Sequence, residues 1–129
     1  MQRQNFVVEE AAALASRLKH RLIKKDWTIS TAESCTGGLI SSLLTDISGA
    51  SAWFKQGWIV YSNESKMREL GVESSAFDEG GYGAVSHKVA VQMARGARYK
   101  SGSNISIAVT GIAGPSAVSY THLRAHETV

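Results

Sequence analysis

The chain has a single cysteine, Cys35, so no intrachain disulfide can staple it. A lone thiol suits a reducing compartment. No run approaches the roughly 18 apolar residues of a membrane span. Residues 1–10 lack the basic start and apolar core of a secretory signal. The expected location is therefore cytoplasmic. Dense runs of one charge are missing too: 14 Lys and Arg stand against 11 Asp and Glu, a formal net charge of +3 with no basic stripe. That pattern argues against a nucleic-acid footprint, while a modest positive bias suits a small anionic ligand. What is present is a globular composition, 43% hydrophobic and 19% charged, in 129 residues that suit one core. No internal repeat of useful length occurs.

Periodicity gives the elements. Residues 6–25 are predicted as an amphipathic helix with Val7, Ala11, Leu14, Leu18 and Leu22 on one face. Its last half carries Lys19, Arg21, Lys24 and Lys25, where cations complement the helix dipole. Residues 27–32 read as a strand, 33–38 as a loop of small residues and 39–47 as a helix, which is the basic α/β unit. A turn over 48–52 leads to a second strand region, 53–62. A short helix then runs from Asn63 to Leu70 and stops at Gly71. Residues 77–83 carry three glycines and read as a loop. Residues 86–99 are predicted helical, with Ser86 as N-cap, and 104–109 as a strand. The expected fold class is α/β, a three-layer-like open sheet with flanking helices. After Pro115 the pattern changes. Residues 116–129 hold two of the four histidines and continue no strand or helix pattern, so they read as an attachment.

The loop Glu33-Ser34-Cys35-Thr36-Gly37-Gly38 is the most informative segment. A serine followed by two glycines, between strand and helix, puts backbone N–H groups at a helix N-terminus, where they can hold a phosphate or an oxyanion. It has neither the Gly-Lys-Ser/Thr of a Walker loop nor Gly-x-Gly-x-x-Gly. On spacing alone, Ser34 and Thr36 serve equally well as helix caps. A second glycine loop, Thr110-Gly111-Ile112-Ala113-Gly114-Pro115, also follows a strand. Ligand sites in open parallel sheets gather beyond the carboxyl ends of the strands, so the two loops point to one shared site. Tyr61 and Lys66 follow the second strand. A lysine kept neutral by burial can act as a base, so a Ser–Lys pair could activate a hydroxyl without histidine. Taken singly, Lys66 reads as a solvated lysine and Tyr61 as half-buried packing. His122 and His126 are four apart but have no evident third ligand, so no zinc site is expected.

Five segments carry a resemblance together: residues 31–38 (Thr-Ala-Glu-Ser-Cys-Thr-Gly-Gly), 49–54 (Gly-Ala-Ser-Ala-Trp-Phe), 61–66 (Tyr-Ser-Asn-Glu-Ser-Lys), 83–86 (Gly-Ala-Val-Ser) and 111–115 (Gly-Ile-Ala-Gly-Pro). In order and spacing they resemble the CinA C-terminal domain family over roughly residues 5–115. The resemblance implies an amidohydrolase that converts nicotinamide mononucleotide to nicotinate mononucleotide and ammonia, in pyridine nucleotide salvage, through a serine and a lysine with no metal or cofactor. Lys66 matches the base. Ser34 and Ser51 both match serines of the family, and either could be the nucleophile. Tyr61 would orient the lysine or the leaving ammonia. Thr36, Gly37, Gly38, Thr110, Gly111 and Gly114 would hold the nucleotide phosphate and the oxyanion. The family continues beyond Gly-Pro differently, so residues 1–115 are expected to be a truncated domain, with the sheet incomplete at its C-terminal side, and 116–129 foreign to it. The expected partner is a small-molecule nucleotide, with no nucleic acid and no membrane; a homo-oligomer stays open. Two other readings remain, a non-catalytic nucleotide-binding module and a competence or DNA-damage factor.

Overall fold

Strand β1 (Ile29–Glu33) organises the molecule, because all five of its residues are buried and a parallel neighbour lies on each side. The computed structural model describes residues 2–78, 85–111 and 124–128, with side chains for residues 9–78 and 85–111. Strand β2 (Phe54–Ile59) pairs with β1 along one edge and β3 (Ile105–Thr110) along the other. Strand β4 (Arg124–Thr128) runs antiparallel to β3, giving the order β2-β1-β3-β4. Helix α1 (Gln2–Lys25) precedes the sheet. Parallel strands need crossovers, and α2 (Leu39–Thr45) lies in the one from β1 to β2, α3 (Asn63–Leu70) and α4 (His87–Ser101) in the one from β2 to β3. The α/β class with helices on both faces of an open sheet is thus the observed architecture.

Alternation along the strands separates two cores. Ile29 and Ile105 join Ala15, Leu22, Leu44 and Trp53 on the side of α1 and α2. Ala32 and Ala108 join Val60, Leu70, Val89, Met93 and Ala97 on the side of α3 and α4. Alanines on the second face let α4 sit close. At Gly96 its backbone passes so near α3 that an added Cβ would lie 2.0 Å from the Leu70 carbonyl oxygen. Helix α4 begins at the expected cap, with Ser86 accepting from the Val89 N–H at 3.1 Å, and α3 stops at Gly71 in the left-handed region (φ 71°).

Two expectations need correction. On α1 the inward stripe is Ala11, Ala15, Leu18 and Leu22, and Leu14 is 55% exposed. Counting back from Leu22 by three and four reaches Ala15, and its neighbour Leu14 is rotated about 100° off that line. The tail, expected to lack a strand, contributes β4. Ladder pairing uses backbone N–H and C=O groups, so it demands little side-chain pattern, and β3 would otherwise present an unpaired edge. Among the described residues no helix is long and apolar enough to cross a membrane.

Candidate functional site

The site begins where β1 ends. The Val60 N–H donates to the Glu33 carbonyl (2.8 Å) and the Ser34 N–H to the Val109 carbonyl (3.1 Å), so both neighbouring strands hold the strand end. From there Ser34 Oγ donates to the carbonyl oxygen of Tyr61 at 3.4 Å. Lys66 Nζ donates to that same oxygen at 2.9 Å. The hydroxyl and the amine therefore lie no farther apart than those two bonds laid end to end. Strand β2 delivers the Tyr61 carbonyl, and α3 turns Lys66 back onto it. Ser62 fixes the start of that helix by accepting from the Ser65 N–H at 3.0 Å.

Lys66 is 1% exposed, and among the described residues no carboxylate lies within ion-pair distance of it. An ammonium buried against a carbonyl loses hydration that no counter-charge replaces. Burial accordingly pushes its pKa below the ordinary lysine value, opposed only by attraction to the neighbouring Cys35 thiolate form. The Cys35 thiol is itself pushed up. Burial is the main cause and Glu33 adds to it, against the N–H groups of Cys35 and Thr36 and the charge of Lys66. Both groups thus hold a charge less readily than they would in water.

Glu33 has no role in the sequence reading beyond its place in the loop motif. It is fully buried. Its carboxylate accepts from Thr36 Oγ1 (2.7 Å), Ile40 N–H (2.8 Å), Ser41 N–H (2.9 Å) and Ser41 Oγ (2.6 Å). Burial raises its pKa, but the bonds from Ser41, Thr36 and Ile40 outweigh that and hold the carboxyl below its ordinary value. The usable signal was hydroxyls three and eight residues downstream, at Thr36 and Ser41. Gly57 on β2 makes room for this cluster: an added Cβ would lie 2.6 Å from Thr31 Oγ1 and 2.8 Å from Ser41 Oγ.

The other expected site residues divide. Ser51 is exposed and lies in the short 3₁₀ turn Ala50–Ala52, just before the amino end of β2. Lys66 follows the carboxyl end of that strand, so the strand's length keeps them apart. Tyr61 is 72% exposed, and it reaches Lys66 through its carbonyl instead of its phenol. The expected phosphate cradle at the start of α2 is partly filled from within. Glu33 takes the Ile40 and Ser41 amides, the Gly37 N–H donates to the Ser34 carbonyl, and the Leu39 N–H to the Thr36 carbonyl. Gly37 and Gly38 allow positive φ (60° and 105°) at the turn into the helix. Thr110 is fully buried at the end of β3, Gly111 follows half-buried, and Gly114 lies outside the described residues, as do His122 and the side chain of His126.

A three-layer α/β domain with a serine and a buried amine beyond the carboxyl ends of its parallel strands is the class this fold and site define. The chain belongs to the family described as the CinA C-terminal domain, whose model matches residues 11–122. A CinA-like protein of Geotalea daltonii is 58% identical over 68% of this chain and 21% of its own length. A protein of Enterobacter agglomerans named nicotinamide-nucleotide amidohydrolase PncC is 48% identical over 70% of this chain and 54% of its own length. The chain therefore spans about a fifth to a half of these curated relatives. Among solved structures, competence/damage inducible protein CihA of Agrobacterium tumefaciens superposes with a TM-score of 0.79 at 39% identity, covering 91% of this chain and 79% of that one.

Proposed function

We propose that this chain carries an amidohydrolase site that cleaves the carboxamide of nicotinamide mononucleotide, with Ser34 as nucleophile and Lys66 as base. The observation that carries the proposal is the shared acceptor: Ser34 Oγ and Lys66 Nζ meet at the Tyr61 carbonyl, in a place where the amine has no carboxylate partner among the described residues. The substrate is taken from the relative named nicotinamide-nucleotide amidohydrolase. Neutral Lys66 takes the Ser34 proton as Oγ attacks the carboxamide carbon, forming a tetrahedral oxyanion. The N–H groups of Cys35 and Thr36, which already act on the thiol next to Ser34, would donate to that oxyanion. Lys66 returns the proton to the amide nitrogen, the C–N bond breaks and ammonia leaves an ester on Ser34. Water, deprotonated by the same amine, then releases the nicotinate product and restores the hydroxyl.

Ammonia release from nicotinamide mononucleotide, followed with the wild-type chain and with Lys66→Ala, tests the proposal. The expected result is turnover by the first and a loss of about a thousandfold in the second, within the range for a positioned base. Stabilisation by the nucleotide with no product from wild type would instead support a binding module, and equal turnover by both would remove the pair.

A further inference from the structure

We infer that Glu33 is the positioning residue of this site: its buried carboxylate ties the serine-bearing loop to the first turn of α2 and so fixes the direction of the Ser34 hydroxyl. The inference rests on the Ser34–Lys66 reading and adds the group that holds the nucleophile in place. Three observations lead to it. Glu33 adjoins Ser34 in the chain, so any rotation of its backbone moves the nucleophile. Its two oxygens accept four bonds from residues 36, 40 and 41, which closes a ring around Ser34, Cys35 and the two glycines. That ring has no substitute, because the N-cap of α2 is Gly38, which has no side chain to cap with.

Burial without an ion pair is costly for a carboxylate, and hydrogen bonds to the charged form are what can offset it. A carboxylate suits the four donors because both oxygens accept. A carboxamide would turn an NH2 group toward N–H and O–H donors and leave part of the set unpaired. The negative charge also carries a chemical cost, since it raises the pKa of the neighbouring Cys35 and opposes an anion in the loop. Transition-state charge is therefore not what Glu33 serves, and it makes no contact that would require substrate. Its effect passes through the geometry of the loop.

The test measures phosphonylation of Ser34 by a small fluorophosphonate, read by intact mass. In that step the Oγ–P bond forms, fluoride leaves and the hydroxyl proton passes to Lys66. The rate is taken per folded molecule, with Ser34→Ala as the blank. Glu33→Gln is expected to slow labelling about tenfold to a hundredfold, the scale of a misplaced reacting group. Glu33→Asp, which keeps the charge and both acceptor oxygens, is expected to recover part of the rate. With nicotinamide mononucleotide, Glu33→Gln is expected to lower kcat at an unchanged KM. If Glu33→Gln does not fold, Ser41→Ala removes one of the four bonds and is expected to slow labelling about twofold to fivefold, the order of one hydrogen bond's net worth. Labelling of Glu33→Gln or Ser41→Ala at the wild-type rate, with only the melting temperature lowered, would reduce Glu33 to a helix cap and overturn the inference. Absence of labelling in wild type would sink the Ser34–Lys66 reading itself, a different result from equal rates.

Discussion

The two ends of β1 use the same kind of residue to opposite purpose. At the amino end, Ser30 Oγ lies 2.8 Å from Ser103 Oγ. Ser103 donates to the Ile105 carbonyl at 2.8 Å, and the single proton of Ser101 is shared between the Ala97 carbonyl at 2.6 Å and Ser103 Oγ at 2.9 Å. Three buried hydroxyls there satisfy one another and the nearby backbone, and no charge is involved. At the carboxyl end the hydroxyl of Ser34 makes one long bond, 3.4 Å, to a carbonyl it shares with a buried amine. The first arrangement is closed. The second keeps its serine loosely held beside a buried amine, with a carboxylate next in the chain turned away into its own ring of donors. Buried polar groups fully paired make structure, and those left with capacity to spare can do chemistry.

Substitutions at both ends break or sharpen this contrast. The largest expected effect is on turnover: Lys66→Met and Ser34→Ala each lower kcat about a thousandfold, and the double variant loses little more, since the two act as one unit. Ser51→Ala, at the other end of β2, leaves kcat within about twofold; a collapse there would move the nucleophile and undo the contrast.

Lys66→Met also separates function from stability, and the sign follows from proton linkage. The folded-state pKa of Lys66 lies below its unfolded value, so the unfolded chain holds more protons between the two values. The cost of burying the ammonium is therefore full below the folded pKa and fades as pH rises toward the ordinary lysine value. Lys66→Met should raise the melting temperature at neutral pH and by less at alkaline pH, as thermal melts across pH would record. The wild-type kcat/KM profile should rise along its acid limb with a midpoint below the ordinary lysine value.

Glu33 has the opposite sign. Its folded pKa lies below its unfolded value, so its stabilisation is full above the ordinary carboxylate range and is lost as pH falls through the folded pKa. Denaturant titrations of Glu33→Gln should show a shallower loss of stability on acidification than wild type. Smaller still is the effect of Ser103→Ala. It removes an acceptor shared by Ser30 and Ser101 and should cost about 1–3 kcal/mol of unfolding free energy with kcat unchanged. Loss of activity in that variant would show the closed network reaching the site after all.

Local signals made much of the fold legible. The N-cap Ser86, the stop at Gly71, the β-forming residues of β1 and the apolar Ile105, Ile107 and Val109 of β3 act within a few residues of themselves, so the elements could be read from the chain. The motif over residues 31–38 marked the site region for the same reason. Leu14 was misplaced because two overlapping apolar stripes run along α1, and only packing against α2 and the sheet selects between them. The strand at 124–128 gave no pattern because its pairing rests on backbone groups.

For the site, the sequence by itself determined which groups are available: two serines, one lysine, a glycine turn and a carboxylate. Only the tertiary structure decided what they are. It set Ser34 beside Lys66 and left Ser51 at the far end of β2. It buried Lys66 away from any carboxylate among the described residues, and it folded Glu33 back onto its own helix. The physical reason is that a side chain's type is a property of its residue, whereas its neighbours and its access to water depend on strands and helices brought together from across the chain.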